Sequence, residues 1–443
     1  MTVALMKTKA EQGLQQRFES DARGLPGTGW VAKLRSDAMA SFNARGLPHR
    51  RIEEFKYTDL RERLKDIPPA AANTSRSVSK DDLDAALGPL ATIACDRIVL
   101  IDGRFEAALS QLPVAATGIE LFPLGQMLAK SPDWLSSKFT AERTGGDAIA
   151  ALNLAFMTDG VMVKVKAGMA PERPVMIVSV VSSQAAASVT ERNIVSVEAG
   201  AGMTLIEAHV ALNGAASGAH RNVATDVDIA ASGALRHIKC VATSGSPTHL
   251  SQWRVRIGKA ATYRGFQMTA GTATARNEIH VAFTGPDAKL DVSGAFLGRG
   301  SDHIDTTLVV DHSTPGCESR ELFKGVLDGR ARGVFQGKII VQPIAQKTDG
   351  KQMSQALMLS EEAEFDSKPE LEIYADDVAC GHGATAAELD PAMLFYLMSR
   401  GIPRPEARAM LIESFIGEAI DKIEDEALRE AFMAIARVWL EAA

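Results

Sequence analysis

A mainly β chain, with a solenoid-like core and a helical segment at each end, is predicted by three features of the 443-residue sequence. Apolar positions recur at helical intervals before residue 70. A long train of short β-like runs follows from about residue 160, and a helical period returns after residue 390.

Between Trp30 and Asn43 the apolar positions Trp30, Leu34 and Phe42 share a face, and Gly46 then Pro48 supply a stop. The run PPAAAN beginning at Pro68 reads as a linker. Residues 80 to 155 are mixed; Ile98 to Ile101, followed by Asp102 and Gly103, reads as a buried strand ending in a turn. From Val161 to Lys166 valines and lysines alternate with period two. Further runs start at Val175, Asn193, Thr204, Val223, Leu235, Trp253, Glu278, Lys289, Ile304, Val334 and Leu371. Small turns rich in Gly, Ser and Ala separate them, with no convincing helix between.

Such spacing fits a sandwich, a barrel or a β-solenoid. The region is long for one sandwich, and Asn-Gly and Asp-Gly hairpin turns are infrequent, which favours the solenoid. No strict repeat is visible. After residue 390, Pro391 to Arg400 forms a short helix closed by Gly401 and Pro403, and Pro405 begins the next. There Leu411, Phe415, Ala419 and Ile423 share a stripe with Ile412, Ile416 and Ile420. A third helix carries Leu428, Ala431, Phe432, Ile435, Val438 and Trp439 on one face. The expected division is an N-terminal helical domain over 1–80, a mixed connection over 81–155, the β core over 156–388 and a C-terminal helical domain over 389–443.

A net charge of −7 with no long basic cluster disfavours nucleic acid as a partner. No apolar stretch approaches the ~18 residues of a membrane span, and the first residues lack a secretory h-region. Cys95, Cys240, Cys317 and Cys380 lie far apart without a CxxC, which suits reduced thiols. These features predict a cytoplasmic chain, in which the glycosylation-like Asn73, Thr74, Ser75 carries no meaning. Gly333 to Ile339 (GVFQGKI) is one residue short of a phosphate loop and lacks its Ser or Thr, so no nucleotide is expected on this chain. No GxSxG, HExxH or dinucleotide fingerprint is present, which disfavours a self-contained nucleotide hydrolase, zinc protease or ferredoxin.

The most suggestive cluster is Asp376 to Gly383 (DDVACGHG). If Leu371 to Cys380 is extended, Cys380 and His382 point to one face, where thiolate and imidazole both reach a soft metal or a cluster. By spacing alone, a buried structural thiol beside a hydrogen-bonded histidine is the more ordinary arrangement. Two ligands also cannot complete a tetrahedral site. Asp311, His312 and Cys317 flank a Pro-Gly turn and read as a capped turn with a satisfied histidine. The scattered His209, His220, His237, His249, His280 and His303 read as surface or core residues without special duty.

The segments Gly325 to Ile339 (GVLDGRARGVFQGKI), Ala345 to Asp349 (AQKTD), Lys368 to Thr385 (KPELEIYADDVACGHGAT) and Leu394 to Ile402 (LFYLMSRGI) are similar to hallmark segments of the SufB/SufD family of iron–sulfur cluster assembly scaffolds. Glu53 to Asp59 (EEFKYTD) resembles its N-terminal signature. The resemblance covers residues 45 to 420 and is strongest from 311 onward. The SufB branch carries an acidic His-Glu-Ala-Thr type segment where this chain has Cys380 to Thr385, which favours the SufD branch. Gly381 stands where Ser is usual and Gly350 where Ala is usual; neither change removes a ligand-capable group.

The resemblance implies a right-handed parallel β-helix flanked by helical domains. It implies pairing with SufB through the β-helix and docking of the SufC ATPase on the C-terminal helices. ATP-driven SufC dimerisation would strain the SufB–SufD pair and open its interface to a transient iron–sulfur cluster shared with SufB. His382, with Cys380 assisting or merely packing, maps to that interface. Tyr396, Arg400, Ile402, Leu411 and Phe415 are the expected SufC contacts, and a homodimer is plausible for the chain alone. The competing readings are a SufB-like paralogue carrying the cluster itself, a β-solenoid polysaccharide-active enzyme, and a structural β-helix with no metal role.

Overall fold

The computed structural model describes residues 6–72, 77–140, 147–215, 218–242 and 247–441; the Asn73 to Ser75 tripeptide lies outside them. Among the described residues nineteen strands form two sheets, of ten and nine strands, whose members alternate along the chain. One sheet runs from Arg104–Phe105 and Asp96–Ile101 through Val175–Val181 to Ala379–Ala387. The other runs from Ile119–Pro123 through Val161–Val165 to Glu364–Ile373. Among the described residues the strand pairings are parallel except the two that close the N-terminal end, Asp96–Ile101 with Arg104–Phe105 and Ile119–Pro123 with Val161–Val165, and an isolated antiparallel bridge joins Arg97 to Gln111 there. This is a parallel β-helix, as expected. Asp96–Ile101 pairs in parallel with Val175–Val181, so the sheet already begins within the connection expected to be mixed.

The repeat hidden from the sequence lies at one corner of each coil. Gly200, Ser232, Ala260, Asp287, Gly316 and Lys347 take left-handed backbone conformations, 27–32 residues apart. Each donates its N–H to a carbonyl of the next coil, from Gly200 to Ala231 at 3.0 Å through Lys347 to Asp377 at 2.7 Å. The corner is held by this ladder and not by a particular side chain, and four of the six residues are not glycine.

The lumen is packed by the inward residues of both sheets, among them Val195, Trp253, Tyr263, Phe283, Phe323 and Phe335, each at most 1% exposed. The outer face of the ten-stranded sheet is covered by the helices Arg404–Ile420 and Glu426–Glu441. There Phe432 meets Phe266 edge-on at 5.1 Å, and burying such a ring contributes about 1.5–3 kcal/mol. Leu428, Ala431, Phe432, Ile435 and Trp439 form the buried stripe as expected, whereas Val438 is 61% exposed and lies off that face.

The helices Lys9–Asp21, Trp30–Arg45 and Ala148–Phe156 cover the first coils of the nine-stranded sheet. Phe42 is buried as expected, Trp30 and Leu34 only partly, and the buried stripe also takes Val31, Ala38 and Met39. The Glu53 to Asp59 segment lies across later rungs of that sheet. Arg276 stacks on the Phe55 ring at 3.9 Å, and Thr58 bonds to His303 and Asp305.

Candidate functional site

The last coil is built from Glu364–Ile373 and Ala379–Ala387, two strands and not the single extended run expected from Leu371 to Cys380. The chain turns at Tyr374 to Val378, where Asp377 donates its N–H to Gln346 Oε1 at 2.9 Å. Among the described residues, Glu364–Ile373 pairs only with Arg332–Val341 and Ala379–Ala387 only with Asp349–Met358. Each therefore presents one free edge.

Alternation still puts Cys380 and His382 on one face. Register places Cys380 beside Gly350 and His382 beside Gln352, and those beside Ser319 and Glu321 one rung deeper. Two columns thus run inward from the open end, with neighbouring rungs about 4.8 Å apart. The absence of a side chain at Gly350 leaves a gap: a Cβ there would sit 3.6 Å from Cys380 Sγ and 3.4 Å from Ser319 Oγ.

Cys380 is half-buried and also touches the apolar cluster of Ile339, Val341 and Leu371. Burial pushes its thiol above the ordinary value, and Asp349 and Glu321 act in the same direction. The thiol is accordingly protonated until a cation draws it down. His382 is exposed at the mouth of the coil. Among the described residues no group of three His, Cys, Asp or Glu could hold a metal ion. Cys380 and His382 can therefore serve a metal or cluster only with help from another donor.

Two buried groups behind them escaped the sequence reading. Glu321 is 3% exposed and burial holds its carboxyl up at about 8. Gln352, also 3% exposed, reaches across the lumen to donate to the Gly337 carbonyl at 3.4 Å. Their only sequence signal is alternation: in ESRELFKGVL and DGKQMSQALM, polar residues occupy the phase that faces the lumen.

The second candidate departs from a capped turn with a satisfied histidine: Asp311 accepts from Gln342 at 3.1 Å, and His312 Nδ1 has no hydrogen-bond partner among the described residues. His312 bonds to Ser319 Oγ at 3.1 Å, while the Cys317 thiol lies 3.4 Å from Thr314 Oγ1. Deeper in the lumen the structure brings together histidines far apart in sequence. Glu207 accepts from Thr225 at 2.8 Å and pairs with His237 Nε2 at 2.7 Å and His209 Nε2 at 3.2 Å. His209 and His249 stand with ring centres 5.0 Å apart. Burial depresses His209 to about 4 and brings nearby Lys239 down to about 7. This network fills the middle coils and is separate from the open end.

The expected partner contacts divide. Tyr396 and Arg400 are exposed, with the guanidinium over the ring at 5.1 Å. Ile402 and Leu411 are half-buried. Phe415 packs against the solenoid, with Lys324 Nζ 4.4 Å above its ring, so it faces inward and not toward a partner. The helix Pro391–Ser399 has no buried residue and also exposes Met393, Phe395 and Met398, which the sequence reading had not selected. Among the described residues, no helix is long and apolar enough to cross a membrane.

Comparison with known proteins agrees with this architecture. Residues 180–415 match the family described as SUF system FeS cluster assembly, SufBD core domain, and residues 19–177 match the SufBD protein N-terminal region. The chain is 30% identical over 392 residues to the iron–sulfur cluster assembly protein SufD of Escherichia coli, covering 88% of each. It is 29% identical over 384 residues to a SufBD family protein of Synechocystis, covering 85% of this chain and 84% of that one. A Mycobacterium leprae SufBD family protein is 35% identical over 194 residues, covering 42% of this chain and 50% of that one. The chain belongs to the SufBD family of iron–sulfur cluster assembly proteins.

Proposed function

We propose that this chain serves as a SufD-type scaffold subunit without catalytic activity of its own, in the cytoplasm. Its open terminal coil pairs with SufB, and its C-terminal helices dock the ATPase SufC. His382 then offers an imidazole nitrogen to a nascent iron–sulfur cluster at the SufB interface, with Cys380 assisting. The observation that carries this reading is the free-edged last coil with a thiol and an imidazole on one face of its final strand. An unpaired edge is a template for another chain's strand, and a two-donor site calls for donors from outside.

On the docking side, the exposed apolar residues of Pro391–Ser399 support a helix-borne contact. In this reading Tyr396, Arg400 and Ile402 belong to that surface, and Leu411 lies at its border. ATP hydrolysis would belong to SufC, and nucleotide to that subunit alone.

The test is co-expression of the tagged chain with its SufB and SufC counterparts, followed by the mass and stoichiometry of what elutes. A complex containing both is expected; a chain that elutes by itself or only with a second copy of itself sinks the reading. Within the complex, His382→Ala should leave assembly of the subunits intact and impair cluster build-up, read by anaerobic absorption and iron content. Unchanged build-up removes the role given to His382.

A further inference from the structure

The two free edges of the last coil offer a neighbouring strand different things. Glu364 and Tyr374 donate their N–H groups to the preceding rung, to Ala331 at 3.0 Å and Val341 at 2.9 Å. By alternation Phe365, Ser367, Leu371 and Ile373 turn theirs toward the open side. Pro369 lies in that same phase and has no N–H to give. On the other edge Ala379 donates to Thr348 at 2.8 Å, so Cys380, His382, Ala384 and Ala386 all turn an N–H to the open side. That edge is complete and carries no carboxylate, lysine or arginine.

Side chains separate the edges further. Phe365 stacks on Phe296 and Ser367 bonds to Ser354 at 2.8 Å, so this phase faces the lumen. Glu364, Asp366, Lys368, Glu370 and Glu372 therefore face outward. Arg332 reaches Glu364 at 3.4 Å and Asp366 at 2.7 Å, and Lys338 reaches Glu372 at 2.6 Å, all from the preceding rung. Lys368 is shared between Glu370 at 3.3 Å and Glu53. Among the described residues no cation approaches these carboxylates from the open side.

The order negative, negative, positive, negative, negative reads the same in both directions. Suppose two copies meet antiparallel along the whole strand, about a two-fold axis. Glu364 then opposes Glu372, Asp366 opposes Glu370 and Lys368 opposes itself, so every outward pair is like-charged. Ser367 stands opposite Pro369, whose missing N–H forfeits a ladder bond on each side of the axis. A strand of another protein bearing Lys or Arg opposite the four carboxylates meets the same edge with attraction.

We propose that the edge Glu364–Ile373 selects the partner of the open coil: it takes a strand with basic side chains at alternate positions in preference to a second copy of this chain. The edge Ala379–Ala387 adds backbone pairing without discriminating by charge. The inference rests on the proposed pairing with SufB, and it names the chemistry by which that pairing outcompetes self-association.

The experiment follows the full chain at low and high salt, reading self-association by sedimentation equilibrium and affinity for tagged SufB by titration. Salt should act in opposite directions. It screens attraction to SufB and weakens that complex roughly tenfold, while it screens repulsion between copies and tightens self-association. The isosteric variant Glu370→Gln, Glu372→Gln breaks every carboxylate–carboxylate opposition of the self-pair. It should self-associate roughly fivefold more tightly and bind SufB roughly fivefold more weakly, with its melting temperature unchanged. If the variant melts lower, the salt dependence of the wild type, which needs no substitution, decides.

Equal SufB affinity in the two chains, or salt that moves both associations in the same direction, overturns the proposal. A wild type that pairs with SufB but is indifferent to charge overturns the selection alone. One that pairs with SufB at neither salt sinks the pairing reading, and the selection falls with it.

Discussion

At its N-terminal end the solenoid closes on itself. Arg104–Phe105 and Ile119–Pro123 run antiparallel to their neighbours, and Asp159 knots the closure by accepting N–H groups of Phe105, Gly125 and Gly160 at 2.6–3.0 Å. At the C-terminal end Glu364–Ile373 and Ala379–Ala387 stop with no fully buried residue on either strand. Solenoids need capped ends to stay soluble alone, and exposed edges invite pairing. One end is finished by the chain's own segments and the other keeps two free edges among the described residues, which is where the ligand-capable pair sits. The contrast teaches that the open coil is not a fraying terminus: its ladders are complete on the paired side, and ion pairs such as Arg332–Asp366 (2.7 Å) and Lys338–Glu372 (2.6 Å) brace its outer face.

The same substitution at the two ends should break the comparison most sharply. Gly160 has φ of 150°, and a Cβ there would lie 1.8 Å from the Arg192 carbonyl oxygen in the next strand. Gly381, on the final strand, would meet nothing within 4 Å. Gly160→Ala is expected to cost about 3 kcal/mol or more, because both the backbone and the neighbouring strand must shift. Gly381→Ala should cost under about 0.5 kcal/mol, as an open surface position. Urea denaturation of both variants decides it; equal losses would mean that the open coil is as tightly packed as the closed one.

The next effect is one of pH. In the folded chain the Glu321 carboxyl titrates at about 8, against 4.5 when exposed, with burial as the cause. Between those values the folded state holds a proton that the unfolded state has lost. Its contribution to stability is fully present below about pH 4.5 and is lost as pH rises through 8. Wild type should therefore lose on the order of a few kcal/mol relative to Glu321→Gln between pH 5 and pH 9. Denaturation midpoints at the two pH values measure it, and parallel pH profiles would show that the carboxyl is solvated in the folded chain.

How much of this contrast could be read beforehand depends on where each strand spends its side chains. Val175–Val181 is buried along its whole length and reads as a strand at once. Asp349–Met358 was missed because its outer face is wet and its inner face carries Gln352 and Ser354, so no apolar alternation survives. Thr262–Ala270 and Glu318–Leu327 were missed for related reasons: Gln267 and Glu321 replace apolar residues at inward positions. The repeat was invisible because the corner is a backbone conformation shared by Gly, Ser, Ala, Asp and Lys. Cys380 and His382 were legible as a pair, since two residues on one strand need only period two. Glu321 and Gln352 were not, because their relation to that pair comes from register across three strands.

Blocking the free edge sharpens the comparison without touching the fold. Ala384 and Ala386 are exposed on the final strand, on the face shared with His382. Lysines at both positions place charges where an incoming strand would pack, the device by which natural edges avoid pairing. The double variant Ala384→Lys, Ala386→Lys should weaken SufB pairing by roughly tenfold or more, while its melting temperature stays near wild type. Undiminished pairing, measured by titration of tagged SufB, would move the interface away from this coil.

The smallest expected change in stability belongs to the exposed helix Pro391–Ser399. Phe395 is 72% exposed and Tyr396 54%, so Tyr396→Ala should alter stability by no more than about 0.5 kcal/mol and yet reduce SufC binding. Phe415→Ala is the contrasting variant. Its ring packs on the covered face of the solenoid beneath the helix, against Lys324, so its loss should cost roughly 1–3 kcal/mol and leave SufC binding nearly unchanged. The pair separates a contact surface from a packed one on two successive helices, Pro391–Ser399 and Arg404–Ile420. Should Phe415→Ala weaken SufC binding while Tyr396→Ala does not, the docking surface would have to form by lifting Arg404–Ile420 from the sheet. The ion pair of Lys324 with Glu418 would then be the first contact to open.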